Sequence, residues 1–95
     1  MVLKLYFSTT SGNLTIAKHQ QRIESIVSSK KYTFEIIDIS GNEDAKNKMR
    51  ELMGDPKALP PQIFNDDMYL GGYEQFDEAV EAEELEAFLK TTPES

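Results

Sequence analysis

The stretch "ALPPQIFNDDMYLGGYEQF", residues 58–76, decides how the second half of this chain folds. Two adjacent prolines come directly before "QIF", a run of strand-forming residues, and a double glycine follows in the same stretch. Proline lacks a backbone N–H and fixes φ, so two prolines at the entry to a strand need an explanation. The segment is either a proline-rich ligand for a partner domain or a part of the fold that requires proline at that point.

Outward from this stretch, apolar patterning predicts alternating strands and helices. Strands are expected over 2–8, 32–40, 61–65 and 68–70, and helices over 14–30, 43–54, 73–81 and 83–90. The first strand, helix and second strand form a βαβ unit, whose crossover gives a parallel pair. A four-stranded mixed α/β sheet with helices on both faces would bury every apolar stripe.

Local signals predict where several elements begin and end. Asn13 or Thr15 could cap the first helix, and Ser40 and Glu43 have the spacing of a capping box for the second. Gly54 is expected to stop that second helix. The double glycine is expected to turn the chain between the fourth strand and the third helix.

Composition excludes several kinds of function. The 95 residues include 10 basic and 17 acidic side chains, a net charge of −7, and no cysteine. Without cysteine there are no disulfides, thiolate metal sites or thiol catalysis. An acidic chain disfavours nucleic acid and anionic membranes as partners.

Length and the chain's first residues lead to further expectations. We expect one domain over residues 1–91, a loose tail over 92–95, and a monomer. The first ten residues resemble neither a secretory signal nor a membrane span, which favours the cytoplasm, with the nucleus as a second compartment. Asp66 and Asp67 are explained by turn chemistry, and we predict no metal site.

Three short motifs resemble a known family. They are "YFSTTSG" at 6–12, "DIS" at 38–40 and "PPQIFN" at 60–65. In these the chain resembles the SH3-domain-binding glutamic-acid-rich-like proteins, which are glutaredoxin-like. The resemblance implies a thioredoxin-like fold of glutaredoxin type, in the order β-α-β-α-β-β-α. It also implies that Pro61 is a cis-proline before the third strand and that Gly71 and Gly72 form the rim of a groove.

The nucleophile of a glutaredoxin is missing. The resemblance places it at the start of the first helix, where this chain has "TTSGNLT", residues 9–15, with Ser11 or Gly12 at the position. A serine cannot replace a thiolate without a base beside it. His19 is about two turns away with no carboxylate behind it, so we interpret it as a surface residue of the helix. The expected protein is not an enzyme.

Two functions remain for the former active-site face, which comprises residues 8–13, 59–61 and 71–74. The first is a protein-binding adaptor or modulator. The alternative is a binder of glutathione or a short peptide in the vestigial groove, although Pro60 has lost the N–H that such a ligand could use. The candidate groove residues are Ser11, Gly12, Asn13, Leu59, Pro60, Pro61, Gly71, Gly72 and Glu74. We expect no cofactor, and glutathione is the one candidate.

The prolines could also be a partner motif. SH3 domains bind P-x-x-P, which this sequence lacks, whereas the P-P-x-x-F form bound by some EVH1 domains is present as Pro60, Pro61 and Phe64. Phe64 lies in a predicted strand and is expected in the core, so a role in the fold is favoured. The acidic C-terminal helices predict a solvated face, with a surface for a basic partner as the alternative.

Overall fold

A computed structural model describes residues 2–10 and 12–92 of the chain. The elements are β1 (Leu3–Phe7), α1 (Leu14–Ser29), β2 (Phe34–Asp38), α2 (Glu43–Met53), β3 (Gln62–Asn65), β4 (Met68–Gly72), α3 (Tyr73–Glu81) and α4 (Leu85–Leu89). The sheet order is β2-β1-β3-β4, with β1 parallel to β2 and β3 antiparallel to both of its neighbours. The predicted mixed sheet is confirmed. The predictions for Ser11 and for most of the tail, residues 93–95, lie outside the described residues.

Strand alternation divides the core between the two faces of the sheet. Leu5 of β1 and Ile63 of β3 pack with helices α1, α3 and α4 on one face, in the larger buried cluster. Tyr6 and Phe64, their chain neighbours, point to the other face and pack with Met49 of α2. Successive residues of a strand face opposite ways, so each of these strands contributes to both cores. Helices on both faces follow directly from that pattern.

The helix caps confirm two predictions and correct one. Asn13, not Thr15, caps α1 by accepting hydrogen bonds from two backbone N–H groups of its first turn. Gly54 ends α2 in the left-handed conformation, at φ 68°. The capping box of Ser40 and Glu43 is wrong, because Asn42 caps α2 and accepts from Ala45 N at 3.0 Å. The Ser40 hydroxyl is not available for this role, since it donates to Asp38.

The double glycine does not turn the chain, which corrects a second prediction. Gly71 and Gly72 continue β4, opposite Ile63 and Gln62 of β3. The strand ends only where α3 begins, and a Cβ atom on Gly71 would lie 2.8 Å from Cβ of Gln75. Gly71 is therefore required by close packing of α3 onto the strand, at a φ of 155°.

Candidate functional site

The sheet brings the three predicted segments to one end. β1 runs towards this end and continues into residues 8–13, whereas β3 starts here, directly after residues 59–61. β4 ends here, because Gly72 pairs with Gln62, which in turn pairs with Tyr6 of β1. We call the surface formed by residues 8–13, 59–61 and 71–74 the sheet-end surface. Ser11 belongs to it by sequence but lies outside the described residues.

The proline segment enters β3 at this surface. The peptide bond between Pro60 and Pro61 is cis. Pro61 is buried, Pro60 is half-buried, and the Leu59 side chain is 62% exposed. Phe64 has no exposed surface at all. The P-P-x-x-F match therefore presents a leucine and a proline at the surface but keeps its phenylalanine in the core.

One glutamine pairs both backbone groups of Ser8. Gln20 of α1 accepts from Ser8 N at 2.7 Å and donates to Ser8 O at 3.0 Å. The Gln20 side chain is among the few buried polar side chains of the described residues. It stands on the same helical stripe as Ile16, Ile23 and Val27, and a polar residue on an apolar stripe is the sequence signal that could have identified it.

Two more glutamines occupy the other edge of the surface. Gln62 donates from Nε2 to Leu59 O at 2.7 Å, and its Oε1 accepts from the Tyr69 hydroxyl at 2.9 Å. Gln75 of α3 accepts from Gly72 N at 2.9 Å. Together with Gln20, these side chains satisfy backbone groups from all three segments, which a bound peptide-like ligand would otherwise use.

A carboxylate holds the loop after β1. The Asp38 carboxylate at the end of β2 accepts from the hydroxyls of Ser40 and Thr9, both at 2.6 Å, and from their backbone N–H groups at 2.9 and 3.3 Å. These hydrogen bonds, those of Ser40 first, hold the pKa of the Asp38 carboxyl well below its ordinary value. Asp38 is thus a charged anchor for one segment of the sheet-end surface.

Apolar side chains are exposed beside these paired polar groups. Leu14, the first residue of α1, is 76% exposed, and Leu59 is 62% exposed. They are the two most exposed large apolar residues of the described chain. Sequence reasoning included Leu59 but missed Leu14, whose position at the start of an amphipathic helix gave it no distinctive signal.

His19 has a different environment from the one expected. It is half-buried, and its ring stacks on Tyr73 with a centroid separation of 3.6 Å and an interplanar angle of 1°. The interpretation as a plain surface residue is corrected, because α3 begins directly after β4 and thereby places Tyr73 beside α1. The remaining predicted residues, Gly12, Asn13 and Glu74, are exposed.

The described residues offer no constellation for metal chemistry. In residues 2–10 and 12–92, no three His, Asp or Glu side chains come together so that they could hold a metal ion. Asp66 accepts from Val2 N at 3.2 Å and Asp67 contacts Lys48 at 3.4 Å, so both turn carboxylates have protein partners. No helix in this part of the chain has the length and apolar character to cross a membrane.

The fold and the site define a class of protein. It is a thioredoxin-like domain of glutaredoxin type whose sequence contains no cysteine. The comparison with family models is more specific. The model of the "SH3-binding, glutamic acid-rich protein" family matches residues 1–92, and the chain belongs to that family.

A curated relative agrees with this assignment. The chain is similar to the SH3 domain-binding glutamic acid-rich protein homolog of Drosophila melanogaster, with 43% identity over an alignment of 107 positions. The alignment covers 98% of this chain and 66% of the relative, so the chain spans just under two thirds of the relative's length.

Solved structures agree on the fold. The actin interacting protein Aip5 of C. albicans has a TM-score of 0.74 at 20% identity, covering 92% of this chain and 86% of that one. A buckwheat glutaredoxin, solved in complex with glutathione, has a TM-score of 0.68 at 16% identity, covering 93% and 76%. The glutaredoxin-like fold predicted from the sequence is confirmed.

Proposed function

We propose that this chain is a non-enzymatic adaptor or modulator that binds a protein partner through the sheet-end surface. One observation carries the proposal. The backbone groups of Ser8, Leu59 and Gly72 are already paired by glutamine side chains, while Leu59 is 62% exposed and Leu14, the residue directly after segment 8–13, is 76% exposed. Because these backbone groups are already paired within the chain, a small polar ligand would have to compete with the glutamines for them. The surface gains free energy when a partner covers its apolar side chains.

The relatives support a protein partner. The family's name refers to binding of SH3 domains, and the name of the C. albicans neighbour refers to interaction with actin. The sequence has no P-x-x-P, and Phe64 is fully buried. An SH3 or EVH1 domain bound to the folded chain would therefore contact Leu59 and Pro60, not the complete P-P-x-x-F motif.

Absence of thiol chemistry completes the proposal. The chain has no cysteine, so it cannot carry out the thiolate attack on a disulfide that the fold supports elsewhere. The imidazole of His19 is half-buried and stacked on Tyr73. Because the chain has no thiol and this imidazole is held against an aromatic ring, we propose a role that depends on non-covalent contacts only.

Photo-crosslinking tests the surface directly. A photoreactive amino acid at Leu59 is compared with one at Met68, an apolar residue that is 42% exposed at the opposite end of β4. In cells that express the chain, we expect discrete protein adducts from position 59 that are lost when Leu14 is replaced by Ser. Adducts that are equally abundant from position 68, or that do not depend on Leu14, would contradict the proposal.

Glutathione is the alternative ligand, and it has its own test. Glutathione would have to displace Gln62 from Leu59 O and Gln75 from Gly72 N, and Pro60 offers no N–H. In a titration of the ¹⁵N-labelled protein with millimolar glutathione, we expect no saturable amide shifts. Saturable shifts confined to residues 9–15, 59–62 and 71–75 would favour the small-ligand alternative.

A further inference from the structure

A cleft of about 800 Å³ lies at the other end of the sheet. Its lining includes Lys30, Tyr32, Val80, Glu83, Leu85 and Glu86, from the end of α1, the residues before β2, the end of α3, the link that follows it, and the start of α4. We call it the α3–α4 cleft. Both α1 and α3 start at the sheet-end surface and run away from it, so the two surfaces lie at opposite ends of the molecule. The cleft has the size of cavities that bind ligands in proteins.

The floor of the cleft is apolar but includes one hydroxyl without a partner. Tyr32 and Leu85 are each 6% exposed, and Val80 is half-buried. The Tyr32 side chain lines the cleft, and its hydroxyl has no hydrogen-bond partner among residues 2–10 and 12–92. Burial first, and then the nearby Glu86 carboxylate, raise the pKa of Tyr32. The Tyr32 residue is buried, but its hydroxyl reaches the cleft, and an accessible hydroxyl without a protein partner beside a negative charge is a polar group that a ligand could satisfy.

The rim of the cleft is acidic. Glu83, Glu84 and Glu86 are exposed around it, and Lys30 is the one basic residue of its lining. A second cavity of about 550 Å³ shares Glu84 and Ala87 with the first. It adds Leu70 and Phe88 to the apolar lining, so the apolar surface continues around both sides of α4.

We propose that the α3–α4 cleft binds a basic amphipathic segment of a partner protein. Apolar side chains of that segment would cover the floor, and its lysine or arginine side chains would lie against the rim. Charge complementarity selects this occupant, since three carboxylates and a single ammonium group line the cleft. A guanidinium or ammonium group can donate both to a carboxylate and to the Tyr32 oxygen. Nucleic acid and anionic membranes would be repelled by the same rim.

The cleft goes beyond the proposed function, because it gives the chain a second binding surface that does not overlap the sheet-end surface. A partner could occupy either surface while the other stays free. Acidic residues on the C-terminal helices thus act as a rim for an apolar cleft and not only as a solvated face.

The probe is a fluorescein-labelled synthetic peptide with leucine on one helical face and lysine on the other, titrated in a fluorescence anisotropy assay. Two cleft variants are compared with the unmodified chain. The triple variant Glu83→Gln, Glu84→Gln, Glu86→Gln neutralises the rim, and Ala87→Trp fills the exposed position shared by both cavities. We expect each to weaken binding by about tenfold or more. Far-UV circular dichroism verifies that both variants are folded.

A matched charge control separates the cleft from net charge. The variant Glu24→Gln, Glu43→Gln, Glu51→Gln changes the net charge by the same amount at exposed positions on α1 and α2. We expect it to weaken binding by less than about twofold. Equal losses in the two triple variants, or unchanged affinity in a folded Ala87→Trp variant, would overturn the proposal. Amide shifts induced by the peptide at residues 9–15 and 59–62, and absent from 80–87, would overturn it as well.

Discussion

Phe64 provides the sharpest test of how the proline segment is used. Its side chain is fully buried, and its ring centroid lies 4.9 Å from that of Tyr6 and 5.2 Å from that of Tyr69. Replacing a fully buried phenylalanine with alanine removes these contacts and leaves a cavity, at a cost of about 3–5 kcal/mol. For a domain with a total stability of about 5–15 kcal/mol, that is a large fraction.

Urea unfolding followed by circular dichroism measures this cost. Leu59→Ala is the matched control, because it removes an apolar side chain from the same segment at a position that is 62% exposed. We expect Phe64→Ala to lower the free energy of unfolding by about 3–5 kcal/mol and Leu59→Ala by less than about 0.5 kcal/mol.

The cost of removing the Phe64 side chain from the core, about 3–5 kcal/mol, also limits how tightly a partner domain can bind the P-P-x-x-F motif. A domain that binds the phenylalanine of P-P-x-x-F must first remove Phe64 from the core. A cost of about 3 kcal/mol weakens the apparent affinity by more than about a hundredfold. If Phe64→Ala costs less than about 1 kcal/mol, or no more than Leu59→Ala, the phenylalanine is not a core residue and this reasoning fails.

Three further predictions concern the framework of the sheet-end surface. Asp38→Asn removes a carboxylate whose pKa is lowered in the folded state. In the wild type, the stability that this carboxylate contributes is fully present above about pH 4, the ordinary pKa of an aspartate, and is lost progressively as the pH falls below that value. Wild-type protein should therefore exceed the variant in stability at pH 7, by a margin that narrows towards pH 2 in urea unfolding. Gly71→Ala should cost roughly 1–3 kcal/mol, because its methyl group would overlap the first turn of α3, whereas Gly41→Ala, with open space around it, should cost less than about 0.5 kcal/mol. Gln20→Leu leaves both backbone groups of Ser8 unpaired and should cost roughly 1–3 kcal/mol, with faster hydrogen exchange of the Ser8 amide.

Each of these three has an outcome that contradicts it. A stability difference between wild type and Asp38→Asn that stays constant from pH 7 to about pH 2 would show that ionisation of this group does not matter. Equal stabilities of the alanine variants at Gly71 and Gly41 would remove the close-packing argument. Unchanged exchange of the Ser8 amide in Gln20→Leu would show that the side-chain hydrogen bond does not protect it.

Regular patterning made most of the fold predictable. Strand-forming runs and helical spacing located the four strands and the main helices, because each element's apolar period reflects which side it buries. The glutaredoxin-type sheet followed from the βαβ unit and from the motifs around residues 6–12, 38–40 and 60–65. Predictions at the ends of elements were less reliable. Ser40 fitted a capping box in sequence, but Asp38 competes for its hydroxyl in the folded chain.

The double glycine shows why local rules fail at contact points. Two glycines in a row are typical of a turn, and the sequence contains no information about what lies above the strand. Position 71 of β4 requires a glycine, because α3 packs onto the strand there and leaves no room for a side chain. That requirement exists only once the helix and the strand have come together.

By itself the sequence determined which chemistry is absent and which elements form. The absence of cysteine removes thiol catalysis whatever the fold, because no other side chain supplies a thiolate. Tertiary structure alone decided what the sheet-end surface offers to a ligand. The pairing of Gln20 with Ser8 and the stacking of His19 on Tyr73 join residues that are separated along the chain. Such contacts depend on how helices and strands meet in space, and no local sequence pattern encodes that meeting.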